Sequence, residues 1–200
     1  MNNIFKNYTK SLYNTHVFCK QKQSDKMHDM PISKAYEHIV NILKALQKDD
    51  TRKAIFIGNG GSAGITSHFS IDYTRTAGIR AQNFNDGASL TCLGNDYGYP
   101  YVFSKQLELH AQKDDILFAI SSSGCSENIL NGVYAAREKG AFIVSLSGFK
   151  KDNPLNQLGD ISFHVESMSY GFVELIHMTI LHSLLDILMG WEFKGDKNEL

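Results

Sequence analysis

Two glycine-containing segments of the sequence have the composition of anion-binding loops. Residues 58–64 (GNGGSAG) follow the apolar run 54–57, and four of these seven residues are glycines. Glycine lets the backbone turn tightly and approach a ligand, and the N-terminus of a following helix offers unpaired N–H groups to an anion. Neither a GxGxxG fingerprint nor a Walker GK[ST] sequence occurs here. An ordinary strand-to-helix turn is the alternative interpretation.

The second segment, residues 121–126 (SSSGCS), follows the apolar run 116–120. Four hydroxyls around one glycine, at the start of a predicted helix, supply hydrogen-bond donors without a fixed positive charge. Such a loop suits a phosphate monoester that must also be released. Serines also cap helices for purely structural reasons, so capping is the alternative.

Two predicted helices carry side chains suited to metal binding or proton transfer. His68 and Asp72 are four residues apart, hence on one face of a helix, a spacing that lets both hold one metal ion. Glu174, His177 and His182 lie on the predicted last helix, where eight residues separate Glu174 from His182 by about 12 Å of axial rise. For each histidine, a packed or capped role is the alternative.

Short apolar runs alternate with segments of helical length from residue 53 onward. The predicted strands are 54–57, 116–120, 142–146 and 161–165, with a weaker one near 81–84. The predicted helices are 62–76, 88–110 with a break at Gly98 and Pro100, 126–139 and 171–189. This alternation predicts a three-layer αβα, doubly wound sheet of about five parallel strands, with both loops at the carboxyl ends where ligands bind.

Residues 1–50 are predicted to form a pair of amphipathic helices. Ile4, Phe5, Tyr8 and Leu12 recur at helical spacing, and a second apolar stripe follows Ser33, a predicted N-cap. The second stripe consists of Tyr36, Ile39, Val40, Leu43 and Leu46. These faces could cover their own domain or a neighbouring subunit.

Composition limits the class of protein. The chain has 200 residues, 42% of them hydrophobic, and a formal charge of -1, so we expect one folded domain over 1–200 with a core at 51–200. The absence of a basic excess argues against nucleic-acid binding. The sequence has no run of about 18 apolar residues and no apolar core of a signal peptide, which predicts a protein without a membrane anchor. The three cysteines form no CxxC pair, which fits a reducing compartment, so we expect a cytoplasmic protein.

Four motifs, in this order, resemble those of one family. They are GNGGS at 58–62, CLGNDYGY at 92–99, ISSSGCS at 120–126 and the spacing of Glu174, His177 and His182. The sequence resembles the sugar isomerase (SIS) domain family, a nucleotide-free α/β fold that binds phosphorylated sugars, and within it the phosphoheptose isomerase branch. The resemblance covers nearly the whole chain, including the N-terminal helical pair that this branch uses in tetramer assembly.

The resemblance implies interconversion of sedoheptulose 7-phosphate and D-glycero-D-manno-heptose 7-phosphate through an enediol. That reaction needs an acid–base pair, which the resemblance places at Asp72 and His182, and stabilisation of an oxyanion. The residues implied for phosphate and sugar binding are Asn59, Gly60, Ser62, Asp86, Ser121, Ser122, Ser123, Ser126 and Glu174. A zinc ion at His68, Asp72, Glu174 and His182, and no nucleotide cofactor, is also implied.

Three positions depart from the family pattern. Asp72 stands where family members carry glutamate, and a base displaced by about 1 Å can lose on the order of 10²-fold in rate. Glu174 replaces the usual glutamine, and Gly171 stands where an acidic residue is often found.

The leading hypothesis is a homotetrameric, zinc-assisted phosphoheptose isomerase that supplies heptose for lipopolysaccharide or capsule. The alternatives are a noncatalytic SIS protein, either a phosphosugar sensor or a replication-initiator-binding protein, and an isomerase of a related phosphosugar.

Overall fold

A computed structural model describes residues 2–192 of the chain. In chain order the elements are α1 (Asn2–Tyr13), β1 (Val17–Gln23), β2 (Lys26–Asp29), α2 (Ile32–Leu46), β3 (Ala54–Gly58), α3 (Gly61–Ala77), β4 (Ala81–Asn83), α4 (Gly87–Tyr97), α5 (Ser104–His110), β5 (Ile116–Ser121), α6 (Glu127–Glu138), β6 (Phe142–Ser147), β7 (Ile161–Val165) and α7 (Tyr170–Leu188). Two 3-10 turns, Tyr99–Tyr101 and Pro154–Gln157, join α4 to α5 and precede β7.

The central sheet contains the five predicted parallel strands, in the order β4-β3-β5-β6-β7. Every residue of β3, β5 and β7 is buried, because helices cover both faces. Strands of this kind are continuously apolar rather than alternating, which is why their sequence runs are recognisable. The predicted three-layer α/β architecture is confirmed.

The prediction of a purely helical N-terminal segment is wrong. Between α1 and α2 the chain forms a hairpin, β1 and β2, whose first strand pairs antiparallel with β7, opposite Val165 and Phe163. The hairpin extends the sheet to seven strands and supplies the outer edge of β7 with hydrogen-bond partners. The predicted cap is also wrong: Pro31 is the N-cap of α2, and Ser33 lies inside the helix.

Two apolar layers hold the sheet between its helices. One side is covered by α2, α3 and α7, and there Tyr73 of α3 packs edge-on against Phe56. The other side is covered by α5 and α6, with partly buried residues of α4. Since α3 and α7 pack beside each other on the same face, side chains from both can meet.

The first and last helices differ in how far the rest of the chain covers them. By length and hydropathy alone α7 could cross a membrane, but seven of its residues are buried inside this fold. In contrast, Ile4 and Phe5 of α1 are 72% and 74% exposed, and Tyr8 meets Phe172 at 4.8 Å between ring centroids. The stripe on α2 therefore packs on its own domain, whereas the stripe on α1 is left largely open.

A buried ion pair joins the starts of the two central strands. The Nζ of Lys53 lies 2.7 Å from Oδ2 of Asp115, and both side chains are buried. The same carboxylate accepts the backbone N–H groups of Lys53 and Gln112. This pair lies at the amino ends of β3 and β5, opposite the two glycine-containing loops.

We expect Asp115→Asn to destabilise the fold by about 3–5 kcal/mol, because it leaves the buried Lys53 ammonium without its counter-charge. The measurement is the free energy of unfolding from urea titration monitored by circular dichroism. Asp114→Asn is the matched control, because Asp114 is exposed and asparagine tolerates its positive φ of 66°. Equal stability of the two variants would contradict the role assigned to the pair.

Candidate active site

The two loops meet because β3 and β5 are adjacent parallel strands in register. Gly58, at the end of β3, is opposite Ile120, and β5 ends one residue later at Ser121. Between the loops lies a cavity of about 250 Å³. Its lining residues are Asn59, Gly60, Gly61, Ser62, Ile120, Ser121, Ser122, Ser123, Ser126, Tyr170 and Glu174. We call this cavity the serine pocket.

The first loop requires glycine for two different reasons. Gly60 is the N-cap of α3 at φ 56°, a left-handed conformation that favours glycine. At Gly61 a Cβ would lie 2.4–2.6 Å from the carboxylate of Glu174, so a larger residue here would displace that carboxylate from its observed position. The Glu174 carboxylate therefore lies against the N-terminus of α3, where the helix dipole favours a negative charge.

The second loop does not use its serines as helix caps. Ser126 is the N-cap residue of α6, but its hydroxyl makes no capping hydrogen bond and instead lies 3.2 Å from the hydroxyl of Ser121. Gly124, at φ 64°, donates its N–H to Ser121 Oγ. A Cβ at Gly124 would fall 1.8 Å from Oδ1 of the buried Asn153, so the loop rests directly on that side chain. Ser121 and Ser126 thus line the pocket with their hydroxyls paired to each other.

Asn59 is held in place by two residues that sequence reasoning missed. Its amide forms a reciprocal pair with the amide of Asn128 in α6, with both N···O distances 2.9 Å. Tyr99 also donates its hydroxyl to Asn59 Oδ1 at 2.9 Å. Tyr99 lies in the motif at 92–99, and Asn128 follows the serine loop by two residues, but no spacing rule links either to Asn59.

The second group of functional side chains lies where α3 faces α7. His68 Nε2 is 3.2 Å from Asp72 Oδ2, and the rings of His68 and His182 are 5.2 Å apart. One potential ligand atom from each of His68, Asp72 and His182 lies within 4.8 Å of the others. Two imidazoles and a carboxylate are a suitable ligand set for Zn²⁺. Arg75 Nη2 lies 3.6 Å from Asp72 Oδ1, a contact that no sequence pattern indicated.

Glu174 is not part of this three-residue cluster. It lines the serine pocket, two turns of α7 before His182, and the separation follows from the rise of the helix. The four-residue zinc site implied by the resemblance is therefore divided within this chain. His68, Asp72 and His182 lie together, while Glu174 lies with the two glycine-containing loops.

Two further residues have local roles. The structure does not bring Asp86 into the serine pocket, because its carboxylate caps α4 by accepting the N–H of Ser89, a bond that lowers the pKa of Asp86. His177 is fully buried and donates Nε2–H to the carbonyl of Ser147, and burial lowers its pKa to about 4. His177 is therefore a neutral core residue rather than a partner of the cluster.

Known proteins resemble this chain in architecture and in sequence. A family model described as the SIS domain matches residues 13–148. A curated phosphoheptose isomerase from Cytophaga hutchinsonii is 38% identical over 160 residues, 77% of this chain and 81% of that protein. The structure of phosphoheptose isomerase from Neisseria gonorrhoeae has a TM-score of 0.69 at 29% identity, covering 80% of this chain and 85% of that one.

A phosphoheptose isomerase from Francisella tularensis superimposes with a TM-score of 0.73 at 25% identity, covering 94% of this chain and 95% of that chain. These relatives are named as isomerases, and none of them supports the noncatalytic alternative. The family identified from the four motifs is confirmed: the chain belongs to the SIS domain family, and within it to the phosphoheptose isomerases.

Proposed function

We propose that this protein interconverts sedoheptulose 7-phosphate and D-glycero-D-manno-heptose 7-phosphate. The observation that carries the proposal is the distance between the serine pocket and the His68–Asp72–His182 cluster. Along α3, Ser62 and His68 are separated by about 9 Å, and along α7, Glu174 and His182 are separated by about 12 Å. A seven-carbon chain with phosphate at one end and a reacting carbonyl at the other suits two such separated sites.

The serine pocket would hold the phosphate. Hydroxyls from both loops and the N-termini of α3 and α6 converge there as neutral donors. This fixes one end of the sugar and leaves the C1–C2 end free to reach the cluster. Binding energy from the remote phosphate can then orient the reacting carbons.

Asp72 and His182 would carry out the proton transfer between C1 and C2. Asp72, held by His68 and Arg75, is the base that removes the carbon-bound proton to give the enediol. His182, packed between His68 and Phe69, moves the proton between the two oxygens. Both rings and the carboxylate have a second polar atom, so each side chain could bind a metal through one atom and transfer a proton through the other.

His68, Asp72 and His182 would hold a zinc ion. When bound, zinc supplies Lewis-acid polarisation of a substrate oxygen. Glu174, with the pocket loops, would contact a sugar hydroxyl instead. Aspartate at position 72 reaches less far than glutamate, and its carboxylate lies 3.2 Å from His68 Nε2, one turn earlier on the same helix.

The assembly and cellular role also belong to this proposal. The exposed apolar stripe of α1, including Ile4 and Phe5, fits packing between subunits of a homotetramer. A cytoplasmic enzyme of this kind would supply heptose phosphate for lipopolysaccharide or capsule.

We expect the purified protein to interconvert the two heptose 7-phosphates, and an NMR time course measures this reaction. His182→Gln should lower kcat by about 10²–10⁴-fold, because it removes a general acid–base group. His110→Gln, at an exposed position at the end of α5, is the matched control and should keep full activity. Asp72→Glu should also be active. Absence of turnover in the native protein would contradict the proposal, and turnover in Asp72→Glu alone would trace the loss to the shorter carboxylate.

We expect chelator-free protein to contain about one zinc per chain by elemental analysis, since three suitable ligands lie together. His68→Ala and Asp72→Ala should each lose the metal. Glu174→Gln should retain it, because Glu174 lies outside the cluster. Metal content that is unchanged in His68→Ala, or lost in Glu174→Gln, would argue against this three-residue site.

We expect light scattering to report a mass near 90 kDa, four times the chain mass of 22.4 kDa. Replacing Ile4 and Phe5 together by aspartate should shift the protein to a smaller species, because charges then occupy the apolar face of α1. Replacing Lys6 and Lys10 of the same helix by glutamine is the control. A native species of 22 kDa would refute the tetramer.

A further inference from the structure

The polarity of the Asn59 amide is set by a chain of hydrogen bonds that starts at one backbone N–H group. Ile129 N lies 3.0 Å from Asn128 Oδ1. A backbone N–H can only donate, so the atom of Asn128 that faces it must be the oxygen. The other atom of that amide is therefore the NH₂ group, which donates to Asn59 Oδ1 at 2.9 Å.

The same logic then fixes Asn59 and Tyr99. Since Asn59 presents its oxygen to the Asn128 NH₂ group, its own NH₂ group donates to Asn128 Oδ1 at 2.9 Å. The Tyr99 hydroxyl, 2.9 Å from the same Asn59 oxygen, has to act as a donor. The two lone pairs of Asn59 Oδ1 are thus both used, while one hydrogen of its NH₂ group has no acceptor among residues 2–192.

We infer that Asn128 and Tyr99 are positioning residues that make Asn59 a donor-only group in the serine pocket. Asn59 lines that pocket, so its remaining N–H is presented to an acceptor oxygen, which we assign to the phosphate of the substrate. Asn128 is 3% exposed and lies in the first turn of the helix that follows the serine loop, so it also couples the first loop to the second. This inference rests on the proposed phosphate-binding role of the pocket.

The arrangement explains how a pocket with the carboxylate of Glu174 in its lining could still select an anion. A free amide could turn its oxygen toward the ligand and repel a phosphate oxygen. Asn128 prevents that rotation, because turning the Asn59 amide would place two oxygens and two NH₂ groups face to face. The donor is thus preorganised before the ligand arrives.

The test uses three neutral substitutions in the full-length protein. Asn128→Ala removes the partner amide, Tyr99→Phe removes only the hydroxyl, and Asn131→Ala is the matched control. Asn131 lies one turn later on α6, and its amide donates to the carbonyl of Pro100 instead of to the loop. Binding of inorganic phosphate is measured by NMR titration, which detects millimolar affinities, with the side-chain amides of asparagine labelled with ¹⁵N.

We expect Asn128→Ala to bind inorganic phosphate about 10-fold to 100-fold more weakly, as for loss of a hydrogen bond to a charged group. Tyr99→Phe should bind phosphate about 2-fold to 10-fold more weakly. The loss is smaller because Asn59 Oδ1 can then accept a hydrogen bond from water in place of the Tyr99 hydroxyl. Asn131→Ala should match the native protein. In the native protein the Asn59 side-chain amide signal should shift on titration, and in Asn128→Ala that shift should be reduced.

Phosphate affinity within 2-fold of native in both Asn128→Ala and Tyr99→Phe would overturn the inference, as would an equal loss in Asn131→Ala. Tyr99 is exposed, so Tyr99→Phe keeps the test decisive even where Asn128→Ala fails to fold. Phosphate binding is measured independently of turnover. A native protein that binds phosphate but does not isomerise sedoheptulose 7-phosphate would refute the proposed function and leave this inference intact.

Discussion

The parallel register of β3 and β5 is the constraint on which the rest of the site depends. Both strands run in the same direction and are hydrogen-bonded from Ala54 opposite Ile116 to Gly58 opposite Ile120. Their loops must therefore end on the same edge of the sheet, and the N-termini of α3 and α6 must point into one pocket. At the opposite edge, the pairing of Lys53 with Asp115 ties the starts of the same two strands together.

The helices convert this edge into a site with two ends. On α3, Ser62 lies in the pocket and Asp72 lies further along the same helix, while α7 carries Glu174 and His182 in the same relation. Because the rise of an α-helix is about 1.5 Å per residue, the two packed helices set the distance between the serine pocket and the His68–Asp72–His182 cluster. An enzyme acting at the far end of a phosphorylated chain needs such a fixed spacing.

Polar groups in the site are constrained by what lies behind them. Gly61 admits the Glu174 carboxylate, Gly124 admits the side chain of Asn153, and the amide of Asn128 orients Asn59. The first contact lies in the pocket lining itself, whereas Asn153 and Asn128 lie behind the lining residues. Loss of any of them would change the direction of a polar group without removing it, which connects packing to ligand recognition.

The parallel α/β core, both loops and the pairing of His68 with Asp72 were predictable from residue patterns, since buried strands are continuously apolar and helical spacing is regular. The sequence did not reveal the hairpin of β1, whose polar residues resemble those of a loop, or the use of Asp86 as a cap. The family resemblance implied that His182 joins His68 and Asp72, and the structure brings these three together. The structure alone separated Glu174 from that cluster and joined Asn59 to Asn128 and Tyr99. Those contacts join residues 40 to 114 positions apart in the chain, and their partners are chosen by the packing of helices on the sheet, for which local sequence patterns carry no signal.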